Sequence, residues 1–208
     1  MPTCSSGDVV LVRYPFSDLS SVKVRPAVVV NGHHASEGCE KEESAMACVK
    51  DGDRAALLRE AEAVLTAHGD KSNCAERVFL ALRAIMETDI PPEAVCLLTG
   101  LGGGIGGARE GTCGAITGGV AALGLIHGRP TPPDGDRFWT YEVCRDFVAR
   151  FQTSFGATIC GGLVGDLLRE ATPEAEEQRK ARCRQYTLAA VRLCLDTLDR
   201  HGKASRGR

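Results

Sequence analysis

The chain reads as a mainly α protein, a multi-helix bundle-like domain preceded by a short N-terminal β-hairpin. Three observations predict this. Apolar residues recur at helical spacing in successive segments after residue 53, capping residues or prolines announce those segments, and β-branched runs are confined to residues 8–30. With 208 residues, 43% of them hydrophobic, the chain can bury a full core without covalent staples. The expected organisation is a hairpin and linker over residues 1–50, a cysteine-containing helical domain over 51–200 and a basic tail over 201–208.

Residues 9–12 and 27–30 are apolar runs separated by Pro15, Asp18, Ser20 and Ser21, a two-strand pattern. Residues 31–52 hold His33, His34, Gly38, Cys39 and a charge cluster at 40–43, and read as a linker. A first helix is expected over about 54–68: Asp53 caps it, Leu57, Ala61, Val64 and Leu65 form its stripe, and Gly69 stops it. A second is expected over about 74–87, capped by Ser72 or Asn73, with Val78, Phe79, Leu82, Ile85 and Met86 facing inward. Pro91 and Pro92 open a short third helix through Leu98, because the first amides of a helix have no intrahelical partner.

After the glycine run 100–107, a fourth helix is expected over about 112–126. There Gly114, Gly118 and Ala122 recur every four residues and leave one face almost bare. Glycine costs roughly 1 kcal/mol per helical position relative to alanine, so the pattern implies close approach by a neighbouring helix or a cofactor. A fifth helix over about 141–154 carries Cys144, Phe147, Val148 and Phe151 on one face, and Cys160 falls in the turn that follows. A short amphipathic piece runs through Leu168. Thr172 and Pro173 then announce a last helix to about residue 200, bearing Cys183, Val191 and Cys194.

The net charge of −2 gives no electrostatic reason to expect nucleic acid or an anionic membrane as partner. The longest apolar stretch, 94–127, is broken by Arg109 and Glu110, so neither part reaches the roughly 18–20 residues of a membrane span. Residues 1–8 lack a basic start leading into an apolar stretch, and the expected location is the cytoplasm. In that reducing compartment the ten cysteines are read as thiols, metal ligands or catalytic dithiols rather than a structural disulfide set.

Cys113 lies in the run Gly111-Thr112-Cys113-Gly114-Ala115, with Cys74, Cys160 and Cys183 widely spaced around it. Cys74 and Cys113 fall at predicted helix N-termini, where free amides and the helix dipole favour thiolate. The absence of C-x-x-C argues against a zinc ribbon, a thioredoxin-type dithiol and local ferredoxin runs. A site would therefore have to be assembled from several helices. Cys144 and Cys194 lie on apolar stripes and are read as packing residues, and Cys96 is a fifth thiol not assigned as a ligand. Gly102-x-Gly104-x-x-Gly107 matches a dinucleotide fingerprint only formally, with no acidic residue about 20 positions on and no following strand. His33, His34 and His127 lack ligand spacing and are read as ordinary surface or loop histidines.

Five elements carry a resemblance: Asn73-Cys74-Ala75, the glycines of 102–107, Cys113-Gly114-Ala115-Ile116-Thr117-Gly118, Phe155-Gly156-Ala157-Thr158-Ile159-Cys160, and Cys183. Residues 55–200 resemble the redox-active family named for its C_GCAxxG_C_C pattern. The resemblance implies a helical fold in which Cys74, Cys113, Cys160 and Cys183 converge on one site. They would bind an iron–sulfur cluster as metal ligands or perform thiol–disulfide electron transfer. In the metal-free case Cys113 is the expected nucleophile, with Cys74 or Cys160 resolving the mixed disulfide. No C-x-x-C-H occurs, so haem is not implied. Whether the protein is an oxidoreductase or an electron carrier stays open, as do its redox partner and its assembly as a homo-oligomer.

A shorter resemblance lies in Gly7-Asp8-Val9-Val10-Leu11-Val12, Tyr14-Pro15-Phe16-Ser17-Asp18 and Arg25-Pro26-Ala27-Val28-Val29-Val30. It is similar to the opening hairpin of MazF/PemK-type RNA endonucleases, in which Arg25 would match the active-site arginine. After Asn31 the remaining toxin sheet is missing, so the stretch reads as a truncated fragment. A toxin-derived RNA endonuclease or RNA-binding fragment is the alternative function, and a helical interaction module with buried cysteines is a third.

Overall fold

The computed structural model, which describes residues 9–15, 22–28, 46–129, 131 and 137–205, is predominantly helical, as the apolar periodicity predicts. Cys4, Cys39, His33, His34 and most of the expected linker lie outside the described residues. The chain divides into two units, Met1–Glu37 and Gly38–Arg208. In the first, β1 (Val9–Pro15) pairs antiparallel with β2 (Val22–Val28), Val9 opposite Val28 and Pro15 opposite Val22. The second strand thus begins five residues before the apolar run that predicts it.

The second unit opens with β3 (Ala47–Val49), followed by α1 (Arg54–His68). Asp53 caps α1 by accepting a hydrogen bond from the Ala56 amide at 3.1 Å, and Gly69 ends it at φ 44°, a conformation that suits glycine. A single 3-10 turn leads to α2 (Cys74–Ala84), which is shorter than the expected helix over 74–87. Met86–Thr88 instead forms β4, antiparallel to β3 with Val49 opposite Met86. The expectation that 31–52 is all linker fails at this pair. Strand pairing across nearly forty residues overrides the helical spacing of Ile85 and Met86, a tertiary effect that no local window contains.

Pro92–Leu101 is a 3-10 helix rather than an α-helix, and it leads into the glycine turn. Then come α3 (Gly114–His127), α4 (Arg137–Phe155), α5 (Cys160–Glu170) and α6 (Pro173–Ser205). At 1.5 Å per residue, α6 is roughly 50 Å long, and its contacts include α1, α2, α3, α4 and α5. It continues beyond residue 200, where His201 Nε2 lies 3.2 Å from Asp146 Oδ2 on α4.

The core lies between α2, α3, α4 and α6, with Val78, Leu82, Ile116, Leu123, Phe147 and Val191 at 2% exposure or less. At its centre the bare face of α3 meets α2. A Cβ at Gly118 would collide with the Ala75 carbonyl, and one at Gly114 with the Cys74 sulfur. The close approach implied by the four-residue glycine spacing is thus a helix–helix contact, and it brings the start of α3 against Cys74.

Candidate functional site

Three of the four singled-out cysteines stand at helix starts, each held by a different local device. Asn73 forms a capping box: its Oδ1 accepts from the Ala75 and Glu76 amides at 2.9 and 3.1 Å, while Glu76 Oε2 accepts from the Asn73 amide at 2.9 Å. This makes Cys74 the first residue of α2. Cys113 is itself the N-cap of α3. Its amide donates to the Thr158 carbonyl at 2.8 Å, and the Cys160 amide donates to the Gly111 carbonyl at 2.9 Å. A third backbone bond, from the Gly161 amide to the Arg109 carbonyl at 2.6 Å, completes a short zipper that sets the starts of α3 and α5 side by side. Cys160 is therefore the first residue of α5, not a turn residue.

The glycine run closes around these starts. Residues 103–107 all have positive φ, between 60° and 76°, so the chain makes a left-handed turn that only Ile105 enters without being glycine. Gly104 sits where a Cβ would lie 2.8 Å from the Cys160 Cβ. Cys183 comes from the side of α6, and that helix is tied to α5 by the Tyr186 hydroxyl on the Leu163 carbonyl at 3.1 Å and by Arg182 on Asp166 at 2.8 Å.

Cys74, Cys113, Cys160 and Cys183 line one cavity of about 440 Å³. All four are free thiols, and Cys113 and Cys160 are 6% and 5% exposed. Ala115, Leu163, Val164 and the Tyr186 ring supply an apolar wall. The charged lining is Arg77, Arg109, Arg179 and Lys180, with no carboxylate among the described lining residues. Among the described residues, no three Cys, His, Asp or Glu side chains are grouped to hold a metal ion.

The thiolate expected at Cys113 is not favoured here. Burial pushes this thiol up to about 12, a hydrogen bond from the Ala115 amide lowers it only in part, and negative charge on Cys74, Cys160 or Cys183 would raise it further. Burial likewise raises Cys183, against a downward pull from Arg179, whose Nη1 lies 3.9 Å from the sulfur. Desolvation outweighs the helix start at Cys113 and the neighbouring cation at Cys183, because the cavity removes water from both.

The remaining cysteines separate from the site. Cys194 on α6 is fully buried and Cys144 on α4 half-buried, as their apolar stripes predict. Cys96 is exposed on the 3-10 helix and does not line the cavity. Cys48 is disulfide-bonded, unlike the thiol expected for it. His127 ends α3 half-buried, its Nδ1 3.4 Å from the Trp139 Nε1, so it is a packed helical residue rather than a loop histidine. Sequence reading missed the basic lining. Its signal was present: Arg77 follows Cys74 by three residues and Arg179 precedes Cys183 by four, both same-face helical spacings.

No helix of the described residues is long and apolar enough to cross a membrane. No curated protein and no solved structure matches the chain, and nothing in the comparisons supports the toxin-like resemblance of the N-terminal strands. One family model does match, over residues 72–197, a span that begins one residue before the Asn73 cap of α2 and includes all four cavity cysteines. The chain belongs to the family described as "Putative redox-active protein (C_GCAxxG_C_C)".

Proposed function

We propose that the cavity is a redox centre in which Cys74, Cys113, Cys160 and Cys183 hold an iron–sulfur cluster. The observation that carries this reading is that four free thiols from four separate helices face one cavity whose charged lining is entirely basic. Cysteine sulfur is the usual ligand of such clusters. A single zinc ion would draw its sulfurs to about 2.3 Å from one point. A cluster spreads its cysteine ligands over several iron atoms.

When bound, the cluster supplies one-electron transfer. The side chains do the rest. Arg77, Arg109, Arg179 and Lys180 offset negative charge on the sulfurs, and Ala115, Leu163 and Val164 keep water from the buried side. Cys113 is protonated at neutral pH in the metal-free protein, so it has to give up that proton to become a ligand.

The test is a UV–visible spectrum with iron, sulfide and zinc analysis on protein purified without oxygen. Absorption between about 320 and 450 nm with stoichiometric iron and sulfide is the result expected, lost in Cys113→Ser. Colourless, iron-free protein whose thiols oxidise in pairs would overturn it in favour of thiol–disulfide transfer. Stoichiometric zinc would overturn it in favour of a structural metal.

A further inference from the structure

The basic residues of the thiol cavity fall into two pairs. Arg179 binds Glu176 at 2.6 Å and Lys180 binds Glu177 at 2.8 Å, so these two cations are already partnered on α6. Arg77 and Arg109 are different. Neither makes an ion pair or side-chain hydrogen bond among the described residues, although Arg109 lies near enough to Glu176 to add to the pull that holds that carboxyl below its usual range.

Arg77 stands one helical turn after Cys74 and is 8% exposed, and its guanidinium Nε is buried with no partner. The acid next to it in sequence, Glu76, is already engaged: one oxygen accepts from the Asn73 amide and the other from the Thr99 hydroxyl at 2.7 Å. A buried guanidinium nitrogen left without an acceptor is costly, and such a group ordinarily meets an anion. The Ser72 hydroxyl, also on the cavity lining, is buried without a partner as well.

Arg109 is held from the other side. Its φ of 68° lies in the left-handed region, which disfavours side chains other than glycine. The conformation is pinned by the Arg109 amide on the Gly103 carbonyl at 2.9 Å and by the Gly161 amide on the Arg109 carbonyl. A strained non-glycine residue maintained by its surroundings is a recurrent mark of ligand sites. Three helix N-termini, at Cys74, Cys113 and Cys160, meet the same cavity and add positive potential to it.

We propose that Arg77 and Arg109 form an oxyanion subsite that holds a compact anion of phosphate or sulfate type beside the cysteines. The guanidinium forks match two oxygens of such an anion, and the Ser72 hydroxyl adds a donor. The anion is a free inorganic ion or the charged end of a small organic ester, and the two share this recognition chemistry. The subsite rests on the arginines and does not depend on what the thiols carry.

Isothermal titration of the intact protein, purified without oxygen and assayed for iron in the same sample, tests this. The probes are sodium phosphate, sodium sulfate and glycerol 3-phosphate, with sodium chloride at equal ionic strength as control. Saturable single-site binding of phosphate or sulfate is expected, at least tenfold weaker in Arg77→Met and in Arg109→Asn, with helix content unchanged. Tighter glycerol 3-phosphate assigns the site to an organic ester and tighter inorganic anion to a free ion, and both support the subsite. Heat no different from chloride, or binding undiminished in both variants, overturns it. Should Arg77→Met fail to fold, Arg109→Asn carries the test alone, because asparagine accepts a left-handed backbone. Iron-free protein that still binds phosphate retains the subsite while removing the cluster; iron-loaded protein that binds no anion does the reverse.

Discussion

Cys113 is subject to two opposing influences, and burial wins. Its place at the start of α3 favours negative charge, yet the cavity wall and three neighbouring thiols hold it protonated up to about 12. The sign of the pH effect follows. The folded thiol binds its proton more tightly than the unfolded thiol, whose ordinary value is 9.0, so stability is full below pH 9 and falls as pH rises toward about 12. Urea titration of metal-free protein at pH 8 and pH 11 should show a larger drop in midpoint for wild type than for Cys113→Ser, which has no thiol to ionise there. Equal drops would place the alkaline loss elsewhere. Asn73 acts on the same site through the backbone. Asn73→Ala removes a capping box and should cost about 1–2 kcal/mol in urea unfolding; under the proposed cluster function, iron retention should fall with it because Cys74 loses its defined start.

At the scale of elements, the α2–α3 contact decides where two of the four thiols lie. Gly118→Ala places a methyl on the Ala75 carbonyl and should destabilise by about 1–3 kcal/mol, since an overpacked backbone contact cannot relax by a rotamer change. A methyl at Gly124, on the same helix, would meet nothing within 4 Å. Gly124→Ala should therefore stabilise, by up to roughly 1 kcal/mol. Opposite signs in paired thermal melts would show that the glycines of α3 are not equivalent. The recurrence of Gly114, Gly118 and Ala122 made this contact legible in the sequence, as Asp53 and Asn73 made the starts of α1 and α2 legible. The end of α2 was not legible. Ile85 and Met86 fit a helical stripe, and only the β3–β4 pair, formed with residues far back in the chain, takes Met86 into a strand.

At the scale of the whole molecule, the site also depends on core residues that do not line it. Phe147 is fully buried between α3, α4 and α6, and Phe147→Ala should cost about 3–5 kcal/mol in chemical denaturation. That loss should loosen α6, and with it Cys183, before the helix starts at Cys74 and Cys113 separate. Hydrogen exchange that protects α2 and α3 while α6 opens would bear this out, and uniform opening would count against it. The sequence by itself determined the helical class, the caps, the glycine stripe and the set of four cysteines. Each of these depends on interactions within about four residues or on a recurring motif. That the four thiols share one cavity, that Cys113 holds its proton, and that Arg77 and Arg109 line the same cavity without an ion pair of their own follow from the packing of the helices. Burial and electrostatic potential are sums over every element packed around a point, and a local pattern contains one element at a time.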